Sequence, residues 1–385
     1  MSVEVTGGAS ITSKSPKRML TDLRSVASRG CKVQLQDGEW YTDWQMGLHG
    51  VIYGYAPDWW AQAVTRAIHD GPASSIAHRD ERLLADALGE FYPNIEAARF
   101  WANGSDPCAA AVKLARASTG RDKLLVYGYH GTASAYAAPP TDFDPDDNRL
   151  GTLQAERDAY VSLDWLQTIP ASLYDIAAVI VECPPTDGGK SRAAGWLQHL
   201  ARVCHEDGAL FVLDEVVTGL RYGPGGAAEY YGIQGLVDLY CFGKTLGNGF
   251  PVSALAGKKA VMDWLAGNPD NSGKVHFSGT WAGEPFGLAA ALATLERMRT
   301  NPPWEYMVDT GTLLKQQWNA LDLPWKLRGH PTRPVLIGDD PRLDDLRRHL
   351  FERGHIVCKH PWYATVAHGQ EDIASLIDAA RDWSG

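Results

Sequence analysis

From about residue 97 to Phe242 the chain alternates short apolar runs with stretches of helical periodicity, and this restricts its fold more than any other feature. Residues 98–102, Lys123–Tyr127, 177–182, 209–213 and Leu239–Phe242 read as strands. Residues 108–118 and 194–205 place apolar side chains at helical spacing between them. Such alternation predicts an α/β fold: a mostly parallel sheet with helices on both faces. Ahead of it, residues 31–43 alternate around Asp37-Gly38, the pattern of a hairpin, and 59–69 and 80–91 read as amphipathic helices. Behind it, helical patterns cover 288–298, 313–321, 342–353 and 371–383, with Pro302-Pro303 breaking the series. The expected organisation is an N-terminal tail and hairpin (1–45), a large domain (46–299) and a smaller C-terminal α/β domain (300–385).

Composition removes several classes of function. The formal net charge is −10 with the two signs interspersed, so no basic face offers itself to nucleic acid. No apolar run approaches the roughly 18 residues of a membrane span. Residues 1–17 lack an apolar signal core and read as a mobile tail. The six cysteines are scattered and never form Cys-x-x-Cys, which argues against a disulfide framework or zinc site and fits a reducing cytoplasm.

Candidate chemistry gathers where strands end. Val212-Leu213-Asp214-Glu215 closes one strand with a carboxylate, and Phe242-Gly243-Lys244-Thr245 follows the next, Lys244 lying thirty residues after Asp214. A lysine held among glycines and a strand-end aspartate are the pair a pyridoxal 5'-phosphate (PLP) site needs. The amine forms a Schiff base with the cofactor aldehyde, and the carboxylate keeps the pyridine nitrogen protonated. Gly243-Lys244-Thr245 and Gly189-Lys190-Ser191 also resemble the end of a nucleotide-binding P-loop. The glycine required five positions earlier is Asp238 in one case and Pro184 in the other, so both fail.

Three further segments have a functional and an ordinary reading. Asn103-Gly104-Ser105-Asp106-Pro107 links a strand to a helix, either as a phosphate cup or as a plain helix cap. Tyr127-Gly128-Tyr129-His130-Gly131 follows a strand, where an aromatic ring stacks on a flat cofactor or simply packs. Ser278-Gly279-Thr280 precedes a helix and either presents Thr280 to a phosphate or serves as a loop.

Taken in order, these segments resemble the class III PLP-dependent aminotransferases of fold type I, in particular the glutamate-1-semialdehyde aminomutase branch. The match runs from about residue 31 to 295. It is carried by Asp214-Glu215-Val216-Val217-Thr218-Gly219-Leu220-Arg221, Gly243-Lys244-Thr245-Leu246-Gly247-Asn248-Gly249-Phe250-Pro251 and Tyr129-His130-Gly131. The resemblance implies that Lys244 is the Schiff-base lysine and proton shuttle and that Asp214 pairs with the pyridine nitrogen. Val216 and Tyr129 would cover the two ring faces, with His130 beside them. Gly104 and Ser105 would hold the phosphate, with Asp106 adjacent and Glu182 near the cofactor. Thr280 would reach the phosphate of a neighbouring subunit, which implies a homodimer with its sites at the interface. Small amines and keto or aldehyde acceptors are the implied substrates.

Two departures stand out. The family's phosphate turn reads Asn-Ser-Gly-Thr-Glu-Ala; here Gly104 and Ser105 exchange order and Asp106 replaces a hydroxyl. A carboxylate facing a phosphate is repelled, so Asp106 is expected to turn outward and cap the helix. The chain is also short in its C-terminal half. The expected activity is amino transfer. An intramolecular aminomutase or an epimerase would use the same residues, and an inert structural relative is the reading from outside enzymology. Arg79 and Arg221 are candidates for a substrate carboxylate, and Trp44, His49 and Tyr53 for the substrate entrance.

Overall fold

A computed structural model describes residues 4–71, 75–132, 150–183, 189–267, 273–359 and 361–383. Its strands, in chain order, are β1 (Ser25–Arg29), β2 (Lys32–Leu35), β3 (Trp40–Asp43), β4 (Ala97–Trp101), β5 (Lys123–Tyr127), β6 (Tyr160–Ser162), β7 (Ile176–Glu182), β8 (Leu210–Asp214), β9 (Leu239–Phe242), β10 (Ser253–Gly257), β11 (Lys326–Arg328), β12 (Val335–Ile337) and β13 (His355–Ile356). The chain forms two compact units, residues 59–301 and residues 1–58 together with 302–385.

In the unit spanning 59–301, seven strands lie in the order β4-β10-β9-β8-β7-β5-β6. Strands β9, β8, β7, β5 and β6 run parallel, and β10 is antiparallel to both its neighbours, β4 and β9. Strand β4 therefore points the same way as the parallel set, and β4, β5, β7, β8 and β9 end on one edge. The sequence of β7, Ile-Ala-Ala-Val-Ile-Val-Glu, is buried at every residue but the last, as expected of a strand covered on both faces. Helix Ser105–Thr119 packs on this sheet through Cys108, Ala110, Ala111, Val112, Leu114 and Ala115, whose small side chains let the helix approach closely. Strand β10 was not foreseen. Ser-Ala-Leu-Ala-Gly has little intrinsic strand preference, and complete burial between two partners supplies what propensity lacks.

In the other unit, β1, β2 and β3 form an antiparallel meander, with the expected turn at Asp37-Gly38; Gly38 takes φ 89°. Strand β13 adds to β3 in parallel, pairing His355 with Thr42. This explains why the first 58 residues group with the C-terminal part, whereas the sequence reading set breaks after 45 and 299. The core here is tryptophan-rich, with Trp44, Trp318, Trp325 and Trp362 fully buried. Residues 4–17 of the expected tail carry short 3-10 turns at Thr6–Gly8 and Thr12–Lys14; residues 1–3 lie outside the described set. No helix among the described residues is long and apolar enough to cross a membrane.

Candidate active site

Parallel pairing lines up the strand-end acids: Glu182 stands opposite Asp214, and Asp214 opposite Cys241. Asp214 is 2% exposed and receives three hydrogen bonds. Its Oδ2 accepts from His130 Nδ1 at 2.7 Å and from the Cys108 thiol at 3.5 Å, and its Oδ1 accepts the Val216 N–H at 2.9 Å. Three donors and no competing acceptor suit an ionised carboxylate. The opposite nitrogen of His130, Nε2, faces the Tyr127 carbonyl at 2.9 Å, so both ring nitrogens meet acceptors and both carry protons. Burial is the largest single influence and pushes the imidazole pKa down, but the hydrogen bonds and charge interactions with Asp214 and Cys108 together outweigh it, and the net result is a rise to about 10. His130 and Asp214 thus form a buried imidazolium–carboxylate pair.

Strand β4 ends at Trp101, and the turn after it opens helix Ser105–Thr119. Asn103 Oδ1 accepts the Ser105 N–H at 3.0 Å, while Ser253 Oγ donates to the Asn103 carbonyl at 2.7 Å and anchors the turn to β10. Gly131, with φ 96°, passes so close that a Cβ there would lie 2.3 Å from Ser105 Oγ. A Cβ on Gly104 would lie 2.9 Å from Val216 Cγ1, and one on Gly243 would lie 3.4 Å from the same methyl and 3.6 Å from the Gly104 Cα. These close approaches bring four segments together: the turn at 103–106, the loop at 128–132, the end of β8 and the residue before Lys244.

Lys244 is half-buried, adopts a left-handed φ of 43° and begins a 3-10 turn, Lys244–Gly247. Behind it, Arg221 is fully buried; its Nη2 donates to Thr245 Oγ1 at 3.1 Å and its Nε to the Val217 carbonyl at 3.3 Å. Arg221 therefore ties the segment after β8 to the lysine turn, a structural task that the sequence did not disclose. Arg79 is exposed and pairs with Asp80 at 3.3 Å. Tyr129 is 62% exposed, and its N–H donates to Glu182 Oε2 at 3.3 Å. Thr280 is exposed in the turn before helix Pro285–Thr300, which Glu284 caps. In the other unit, Trp44 is a core residue stacked on His368 at 4.5 Å, and His49 stacks on Tyr363 at 4.1 Å.

The expected outward cap by Asp106 is not what forms. Gly104 stands at the N-cap with no side-chain capping bond; Asn103 Oδ1 accepts the Ser105 N–H, and Asp106 accepts from Asn103 Nδ2 at 2.8 Å. Burial raises the Asp106 carboxyl, and a hydrogen bond from the Asn103 backbone only partly offsets this. Pro107 also removes one N–H from the helix's first turn. The site otherwise suits PLP: a helix N-terminus at Gly104 and Ser105, a carboxylate that accepts three hydrogen bonds, and a lysine whose preceding glycine lies against Gly104. Asp106→Asn keeps an oxygen for Asn103 and removes the charge. It is expected to tighten PLP binding by about three- to tenfold, measured by titration of the apoprotein, because like charges a few ångströms apart repel. The same change is expected to lower the melting temperature slightly, because an acid in the first turn favours the helix. Unchanged affinity would show that Asp106 does not sense the phosphate.

Comparison with known proteins agrees with this geometry. The family model for class III aminotransferases matches residues 13–329. The glutamate-1-semialdehyde 2,1-aminomutase of Methanothermobacter thermautotrophicus is 30% identical over 93% of this chain and 91% of its own length. The protein of the same name from Methylacidiphilum infernorum is 32% identical over 92% and 88%. Among solved structures, an omega-transaminase from Sphaerobacter thermophilus superposes with a TM-score of 0.80 at 23% identity, covering 94% of this chain and 90% of that one. With a matched region that includes the start of helix Ser105–Thr119, the Asp214 strand and the Lys244 turn, the chain belongs to the class III aminotransferase family, whose members are PLP-dependent enzymes of fold type I.

Proposed function

We propose that the protein is an aminotransferase that moves an amino group between an amine donor and a keto or aldehyde acceptor, using PLP. The closeness of Gly243 to Gly104 and Val216 supports this reading, because it brings the residue before Lys244 beside the phosphate turn and the segment that follows Asp214. When bound, PLP supplies an electron sink for the carbon next to the substrate nitrogen. Lys244 Nζ would hold the cofactor and would move the proton at the reacting carbon. Asp214 would meet the ring nitrogen, its carboxylate aimed by the three hydrogen bonds it accepts. The N–H groups at Gly104 and Ser105, with Ser105 Oγ, would hold the phosphate. Val216 and Tyr129 would cover the ring, and Glu182 orients the loop that carries Tyr129 by accepting its N–H. Exposed Tyr129 and Thr280 suit a homodimer in which a second subunit completes the site. Six free cysteines, five of them buried, suit the cytoplasm.

A second reading, an intramolecular aminomutase, is favoured by the names of relatives that align over more than nine-tenths of the chain. Absorption spectroscopy of the PLP-loaded protein against a panel of amines separates the two. Transamination predicts bleaching of the visible band by one amine, release of one equivalent of its carbonyl product, and recovery with a keto acid. An aminomutase predicts conversion of an amino aldehyde to its isomer without net release of a carbonyl compound. A protein that stays colourless with PLP would overturn both.

A further inference from the structure

Cys108, His130 and Asp214 form a fully buried group whose potential ligand atoms lie within 4.8 Å of one another, a spacing that would admit a metal ion. Protonation argues otherwise. A hydrogen bond with Cys241, then burial, push the Cys108 thiol well above its ordinary range, so sulfur is held as S–H, a donor and a poor ligand. His130 already spends both nitrogens on Asp214 and Tyr127.

Cys108 stands one turn into helix Ser105–Thr119, on the same face as Ser105 three residues before it. A single rigid element thus presents Ser105 to the phosphate turn and the Cys108 thiol to Asp214. Cys241, opposite Asp214 in β9, is the thiol's other hydrogen-bond neighbour. Alanine, the family residue at this position in the turn motif, would leave Oδ2 with His130 as its one side-chain donor.

We propose that Cys108 is a positioning residue for the ring-nitrogen contact, donating its S–H to Oδ2 of Asp214 and so coupling the carboxylate to the phosphate-binding helix. This rests on the PLP reading above. It assigns the thiol a task that neither packing nor redox chemistry requires.

The test is PLP titration of apoprotein, following affinity and the position of the visible band, in the parent, Cys108→Ala and Cys108→Ser, with melting temperatures alongside. The parent turning yellow supports the PLP reading, and its failure to do so would sink that reading separately. The alanine variant is expected to bind PLP about fivefold more weakly, as fits loss of one weak donor to a charged group. Its band is expected to shift, and serine, which restores a donor, to recover most of both changes. If alanine matches the parent within twofold with an unmoved band, or serine loses as much as alanine, the assignment is wrong. Should alanine not fold, Cys108→Val keeps the volume without the donor and is expected to show the same loss.

Discussion

Lys244→Ala is expected to lower turnover by at least about a thousandfold, since both the covalent attachment and the general-base group are removed. The visible band that PLP gives with the parent is expected to vanish, while PLP still binds through the phosphate turn and Asp214. Stability should change little. Lys244 sits at φ 43°, and alanine meets the same backbone restriction there as lysine. The turn itself is held by Arg221 on Thr245, which the substitution does not touch. Steady-state kinetics, an absorption spectrum and a melting curve on one preparation check all three. Turnover within tenfold of the parent would remove Lys244 from the chemistry.

Asp214→Asn is expected to cost about a thousandfold in turnover, the scale of losing a preorganised electrostatic contact in a water-excluded site. Folding should suffer less. Asparagine offers one oxygen to a site that presents three donors, so its amide N–H faces either the Val216 N–H or the His130 and Cys108 donors. That mismatch costs on the order of 1–3 kcal/mol, a few degrees in melting temperature for a domain of this size. His130 reports the change independently. Burial is the largest influence on it and lowers its pKa; with the carboxylate gone, the value falls from about 10 toward or below the ordinary 6.5. Its stabilising share in the parent is complete below about pH 6.5 and fades as pH rises toward 10, and the variant should lose that dependence. NMR titration of the histidine reads this directly. An imidazole still protonated at pH 9 in the variant would overturn the pairing.

Much of the sheet was legible because burial on both faces leaves a mark in the chain. Strands β5 and β9 fall on the expected residues, and β7 and β8 begin and end within one residue of them. Strand β10 and the two-residue β13 were not legible. Their pairing is a product of neighbours distant in sequence, and their own residues carry neither alternation nor strong preference. The site divides in the same way. Lys244 and Asp214 could be picked out because a reactive amine among glycines and an acid closing an apolar strand are local patterns. Cys108 gave no such signal: it reads as one small apolar residue in a buried helix face. Arg221 read as a candidate for a substrate carboxylate, and the structure shows it fully buried and bound to Thr245.

The sequence by itself determined the parallel sheet, the strand-end placement of Asp214 and Lys244, and the family, since each rests on periodicity or contiguous motif. Only the tertiary structure decided which donors meet Asp214, that Asn103 rather than Asp106 accepts the Ser105 N–H, and that the first 58 residues group with the C-terminal part. These are contacts between residues far apart in the chain or choices among competing side chains a few residues apart. Their outcome depends on angstrom-scale approach and burial, which a linear pattern does not encode.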